Sequence, residues 1–273
     1  MQNKFIINVC LTGMVATKKD NPYIPLSPEE IASDVKECVE LGASIVHVHA
    51  HDESGNPTYK REYYERILKC IRGVSKDVVI CSSASGRLFH ELEKRLECLD
   101  TDPRPDLVSL TMGSIDFANQ SSMNSLQTVK TIAQEIYARG LKPEVEIFDI
   151  GMARTTKRLM YENILKGPCY ANILLGNMAS ADASLLDLTA ILHNLPKELL
   201  WCTGGIGKME LRANLLGMLY GQGVRVGLED SLYLDENKTI ASNVSLVERI
   251  IKIGRLMGKS PCTISETRQC LGL

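Results

Sequence analysis

The sequence predicts a (β/α)8 TIM barrel on three observations. Eight short β-branched runs follow one another at Phe5–Leu11, Ser44–His49, Val78–Ser82, Leu107–Thr111, Glu144–Phe148, Asn172–Leu175, Leu199–Thr203 and Val224–Gly227. Segments with apolar residues at helical spacing separate them. The chain has 273 residues, close to the roughly 250 that such a barrel uses. A doubly wound open sheet shares the alternation and is the main competitor. No Pro-, Gly- or Ser-rich linker splits the chain, so one domain over residues 1–273 is expected.

The clearest helix is Pro28–Leu41. Ser27 supplies an N-cap, Pro28 suits the first helical position, Glu30 completes a capping box and Gly42 stops the helix. Further helices are expected near Tyr63–Ile71, Leu88–Leu99, Ser125–Arg139, Leu185–Leu195, Met209–Tyr220 and Ser242–Met257. The segment from Asp100 to Asp106 reads as a turn between a helix and a strand.

Composition narrows the function. The chain is 44% hydrophobic and 23% charged, with 31 basic and 33 acidic residues and a net charge of −2. Its mean hydropathy is −0.05. This balance offers no basic footprint for nucleic acid and no polybasic membrane patch. No apolar run reaches the roughly 18 residues of a membrane span. The N-terminal stretch lacks the apolar core and cleavage site of a signal peptide, so a cytoplasmic protein is expected. The nine cysteines contain no C-x-x-C pair, which argues against a disulfide framework or zinc ribbon. Most lie in apolar runs, where a thiol packs as a small hydrophobe.

In a barrel, chemistry gathers at the C-terminal ends of the strands. The second strand ends in Val46-His47-Val48-His49-Ala50-His51. A period of two puts His47 and His49 on one inward face, where two imidazoles can share a metal ion. A catalytic zinc usually has three protein ligands and an open position, so the third must come from another strand end. The eighth offers Arg225-Val226-Gly227-Leu228-Glu229-Asp230, and the fifth places Glu144 and Glu146 on one face before Asp149. Glutamate is poor strand material unless it serves a site. Ser82, Ser83 and Ser85 after the third strand, and Ser109 and Thr111 in the fourth, add hydroxyls that are also ordinary turn residues. After the seventh strand, Thr203-Gly204-Gly205-Ile206-Gly207-Lys208 fails the Walker A spacing but stands where barrels often bind phosphate.

Read together, Thr12-Gly13, Asn21-Pro22, Pro28-Glu29-Glu30-Ile31, His47-Val48-His49 with Asp52 and Gly55, Pro143-Glu144-Val145-Glu146, Gly205-Ile206-Gly207 and Arg225 through Asp230 resemble the β-keto acid cleavage enzymes over essentially the whole chain. The resemblance implies a zinc-containing TIM barrel, usually a homotetramer, that converts a β-keto acid and acetyl-CoA to acetoacetate and a CoA ester. It implies Zn2+ ligation by His47, His49 and Glu229, and a catalytic pair of Arg225 and Asp230. It places Ser83, Ser109 and Glu146 at substrate-contacting or supporting positions, with Gly205 and Gly207 beside the substrate. On this reading zinc polarises the keto oxygen, and Asp230 takes a proton from the acetyl group. Addition to the ketone, CoA transfer and carbon–carbon cleavage follow.

Two departures bear on the substrate. Val15 stands where relatives with an amino-substituted substrate carry a glutamate, which predicts a non-cationic tail contacting Met14 and Val15. His51 stands where an arginine is common. The rival readings are an amidohydrolase-type hydrolase, which needs further histidines after the fifth and sixth strands, and a metallolyase with an Asp-Arg-Glu signature absent from Phe5–Gly13. A noncatalytic barrel holding a metabolite or a closed metal site is the remaining alternative.

Overall fold

The computed structural model describes residues 3–273. Its eight barrel strands are β1 (Lys4–Cys10), β2 (Ile45–Val48), β3 (Val79–Ser82), β4 (Leu107–Thr111), β5 (Lys142–Ile147), β6 (Tyr170–Leu175), β7 (Leu200–Gly205) and β8 (Gly223–Val226). Each pairs in parallel with its sequence neighbour, and β8 returns to β1 with Ile6 opposite Gly223 and Asn8 opposite Arg225. That closure excludes the open sheet.

The helices are α1 (Pro28–Leu41), α2 (Arg61–Val74), α3 (Leu92–Leu96), α4 (Leu126–Ala138), α5 (Ile150–Tyr161), α6 (Leu185–His193), α7 (Glu210–Tyr220), α8 (Asn243–Leu256) and α9 (Ile264–Leu271). The Ser27–Glu30 capping box forms as expected and Gly42 ends α1. Two helices went unanticipated. In α5, Asp149 is the N-cap and accepts from the Met152 N–H at 2.8 Å, so its carboxylate caps a helix instead of joining the strand-end cluster. The α9 helix, capped by Thr263 and Glu266, ties to the barrel through Thr267 Oγ1 donating to Ser44 Oγ at 2.8 Å. Two antiparallel hairpins, Ala50–His51 with Pro57–Thr58 and Ile115–Phe117 with Gln120–Ser122, elaborate the loops after β2 and β4.

Strand residues alternate between two environments. Val46, Val48, Ile80, Val108, Leu110, Val145 and Ile147 belong to the large core that the helices help to build. Ile6, Ile45, Val79, Cys81, Leu107 and Cys202 form a smaller cluster with Tyr170. Polar groups are also buried in the strands. Asn8 Nδ2 donates to Glu144 Oε1 at 2.5 Å and to the Tyr170 hydroxyl at 3.3 Å, which in turn donates to Asn172 Oδ1 at 2.9 Å. The barrel interior is therefore not built of apolar layers alone. Buried polar groups need partners, and this set shares its members with the ionic residues of the site. Cys10, Cys38, Cys81, Cys98, Cys169, Cys202 and Cys262 are buried, in keeping with a packing role.

Candidate active site

The site is built on the H-x-H of β2. His47 is fully buried, and its Nδ1 lies 2.6 Å from Glu144 Oε2 on β5. That contact assigns the proton to Nδ1, so Nδ1–H donates to the carboxylate and Nε2 keeps its lone pair. His47 Nε2 is 3.7 Å from Glu229 Oε2, and His49 Nε2 is 3.2 Å from Glu229 Oε1. Ligand atoms of the three residues lie within 4.8 Å of one another. Among the described residues, His47 Nε2 and Glu229 Oε2 are buried and have no hydrogen-bond partner. A nitrogen lone pair and a carboxylate oxygen turned toward each other in this way fit a cation between them. Two imidazoles and one carboxylate are a donor set of catalytic zinc sites.

His47, Cys81 and Glu144 form a second close group. Burial and the adjoining Glu144 push the Cys81 thiol well up, and its Sγ donates to Glu144 at 3.1 Å. All three members are buried, whereas His49 and Glu229 line the cavity at the strand ends. The His47–His49–Glu229 group is the one a substrate can reach.

Arg225 on β8 knits the carboxylates together. Its Nε and Nη2 donate to Asp230 at 2.8 and 3.2 Å, and its Nη1 donates to Glu146 at 3.0 Å. Its Nη2 is also 3.0 Å from Glu229. Thr111 on β4 donates to the other Glu146 oxygen at 2.6 Å. Burial would raise the Glu144 carboxyl, but His47, Arg225 and Cys81 bring it down to about 2. Burial would lower His47, but Glu229 and Glu144 push it up to about 9, so a metal ion at Nε2 competes with a proton that the same carboxylates favour there. Asp230 behaves differently. Burial and the neighbouring Glu229 raise it despite Arg225.

Of the residues singled out in the sequence, His49, Ser83, Glu146, Arg225, Glu229 and Asp230 line one cavity, with His47 beneath. Four others lie off it. Ser109 is buried and accepts from the Ala84 N–H at 3.1 Å, supporting the β3 loop; Thr111, one inward position further along β4, reaches the cavity. Gly205 sits where a Cβ would be 2.4 Å from the Met209 carbonyl, so it serves a tight turn. The Gly207 N–H donates to the Asp230 carbonyl at 2.7 Å and is therefore spoken for, against the phosphate reading of this turn. Val15 is 55% exposed and is not part of the cavity wall, whereas Met14 is. Sequence reasoning gave no role to Arg87 and Phe117, which also line it. It saw Glu144 on the inward face without its bond to His47.

The sequence profile of the beta-keto acid cleavage enzymes matches residues 4–273. The chain belongs to this family. A 3-keto-5-aminohexanoate cleavage enzyme of Fusobacterium nucleatum is 32% identical over 274 residues, covering 100% of this chain and 99% of that protein. A 3-oxoadipate:acetyl-CoA acetyltransferase of Cupriavidus necator is 29% identical, covering 100% and 96%. Among solved structures, ObcA in ternary complex with a C4-CoA adduct and oxalate superposes with a TM-score of 0.80 at 17% identity, over 92% of this chain and 68% of that one, a likeness of fold. The family member described here is thus an enzyme that cleaves carbon–carbon bonds in β-keto acids.

Proposed function

We propose that this cavity binds a β-keto acid and acetyl-CoA, with zinc held by His47, His49 and Glu229, and releases acetoacetate and a CoA ester. The observation that carries the reading is the pair of buried, unpartnered ligand atoms, His47 Nε2 and Glu229 Oε2, beside the Arg225–Asp230 pair. Zinc bound there supplies Lewis-acid polarisation of the substrate's keto oxygen.

The carbon skeletons fix which proton moves. Acetoacetate contains a bond between the acetyl carbonyl carbon and C2 of the keto acid. The order expected from the sequence, with the acetyl carbon adding to the ketone, does not make that bond. We therefore assign the proton loss to C2 of the keto acid, with Asp230 as acceptor and Arg225 holding its carboxylate. C2 then attacks the acetyl carbonyl, the CoA sulfur passes to C3, and the C2–C3 bond breaks. Its electron pair remains on C2, and Asp230 returns the proton there. One keto acid and one acetyl-CoA give one acetoacetate and one acyl-CoA.

The free cationic charge of Arg87 in the same cavity supports a non-cationic substrate tail, a role the sequence reading had given to Val15. The cytoplasmic address, single-domain organisation and homotetramer rest on the resemblance and the sequence. Among the described residues, no helix is long and apolar enough to cross a membrane. The deciding experiment combines metal analysis with incubation of the protein with a β-keto acid panel and carbonyl-labelled acetyl-CoA. Stoichiometric zinc and label at the ketone carbon of acetoacetate are expected. Label in its carboxyl group, or full activity without metal, would overturn the proposal.

A further inference from the structure

Arg87 differs from every other charged residue of the cavity. Arg225 is saturated by Asp230, Glu146 and Glu229, whereas Arg87 forms no ion pair and no side-chain hydrogen bond among the described residues. Its guanidinium lies over the Phe117 ring at 3.5 Å from the centroid, and Phe117 packs edge-on against Phe148 at 5.8 Å. A guanidinium stacked on a ring keeps its N–H edges free, which is the fork that binds a carboxylate. Ser85 and Ser122 line the same cavity and bring hydroxyl donors to it.

The place of the Arg87 loop, beyond the end of β3, decides which carboxylate it meets. The Ser83 N–H donates to the Val48 carbonyl at 3.0 Å, which sets Ser83 near the level of His49. Arg87 follows further along the loop beyond the end of β3, and Phe117 belongs to the hairpin beyond the end of β4. Gly86 holds this loop close, since a Cβ there would be 2.9 Å from the Met123 carbonyl. The C1 carboxylate of a 3-keto acid stays two carbons from the keto carbon, close to the proposed metal. A group at the opposite end reaches outward.

We infer that Arg87, with Ser85 and Ser122, is the receptor for a second carboxylate at the far end of the substrate, and that this enzyme cleaves 3-oxo dicarboxylic acids. The inference rests on the proposed function for the identity of the reaction and adds the class of acid.

The test compares 3-oxoadipate and 3-oxopimelate with the matched monoacids 3-oxohexanoate and 3-oxoheptanoate, in wild type, Arg87→Met and Arg87→Lys. A monoacid leaves the charge-assisted hydrogen bonds of Arg87 unmade, so wild type should favour the diacids by about 100-fold in kcat/KM. Arg87→Met should remove most of that preference through KM of the diacids, leave the monoacids within about threefold, and leave KM of acetyl-CoA unchanged. Arg87→Lys should recover part of the loss. An equal loss on both acid classes would place Arg87 at the C1 carboxylate, and a rise confined to acetyl-CoA would place it on CoA; either overturns the inference. Calorimetric binding of adipate against hexanoate gives a readout independent of turnover. Tighter adipate binding that disappears in Arg87→Met supports the receptor even if no keto acid is cleaved, in which case only the proposed reaction fails. Equal binding of the two acids by wild type overturns the receptor itself.

Discussion

At the scale of single residues, the site depends on what stands behind each ligand. Glu144 touches no solvent yet fixes the proton of His47 and accepts from Asn8 and Cys81. Removing such a supporting carboxylate typically lowers metal affinity by about 10–100-fold. Glu144→Ala should therefore bind zinc more weakly by that order in a chelator competition, and unchanged affinity would deny it the role. Asp230 offers the complementary case. Asp230→Asn keeps all three ligands, so zinc content and fold should persist while kcat drops by about 10²–10⁴-fold. A variant retaining half the wild-type kcat would move the base to Glu146, which is bonded to Arg225 in the cavity wall and is not one of the proposed metal ligands. Period-two spacing made His47, His49 and the two strand-five glutamates legible in the sequence. It gives the face of a strand and not the height along the barrel axis, which is why Ser109 and Thr111 were not told apart. Val15 and Arg87 sit in loops, where no periodicity reports which side chain turns inward.

At the scale of elements, the strands and the other seven helices followed their local signals, while α5, α9 and the β4 hairpin did not announce themselves, although both helices are capped. Asp149 illustrates the ambiguity, because a carboxylate at a strand end reads equally as a site residue or as the cap of the next helix. The β3 loop shows how an element without regular structure becomes rigid. Arg95 Nε donates to the Ala84 carbonyl at 2.8 Å, and its Nη2 donates to Asn124 Oδ1 at 2.7 Å, tying this loop to the segment after the hairpin. The Met123 N–H donates to the Gly86 carbonyl at 3.3 Å. A Cβ on Gly86 would stand 2.9 Å from the Met123 carbonyl oxygen as well as 2.8 Å from Arg95 Nη1, so the two loops must part to admit it. Gly86→Ala should destabilise by about 1–3 kcal/mol, the usual range for overpacking. It should also raise KM for the keto acid more than it lowers kcat, with zinc content unchanged. Steady-state kinetics beside thermal unfolding would check this, and a pure kcat defect would show that the loop acts on the chemistry instead.

At the scale of the whole molecule, closure of the barrel and assembly of the site are one event at the seam between β8 and β1. Two glycines let the strands meet there. A Cβ on Gly223 would lie 2.2 Å from the Ile6 carbonyl oxygen, and a Cβ on Gly227 would lie 2.2 Å from that of Cys10. The clashes match in size but fall at opposite ends of β8. Gly227 also has φ +150, a conformation that favours glycine. Just beyond it the Glu229 N–H donates to the Cys10 carbonyl at 3.1 Å, so the clash falls on the atom that anchors the proposed third ligand. At the lower end, Gly223 touches no site residue. Each alanine should destabilise the fold by about 1–3 kcal/mol from overpacking, with a further 1–3 from backbone strain at Gly227. The metal separates them. Gly223→Ala should melt several degrees lower yet hold zinc at wild-type affinity below its transition, whereas Gly227→Ala should lose zinc affinity and activity together. Calorimetry and metal analysis on the two purified variants read both quantities. The division follows from a barrel in which the lower end carries stability and the upper end carries chemistry. Equal loss of zinc from both variants would mean that strain spreads along the whole seam and that the two ends are not independent.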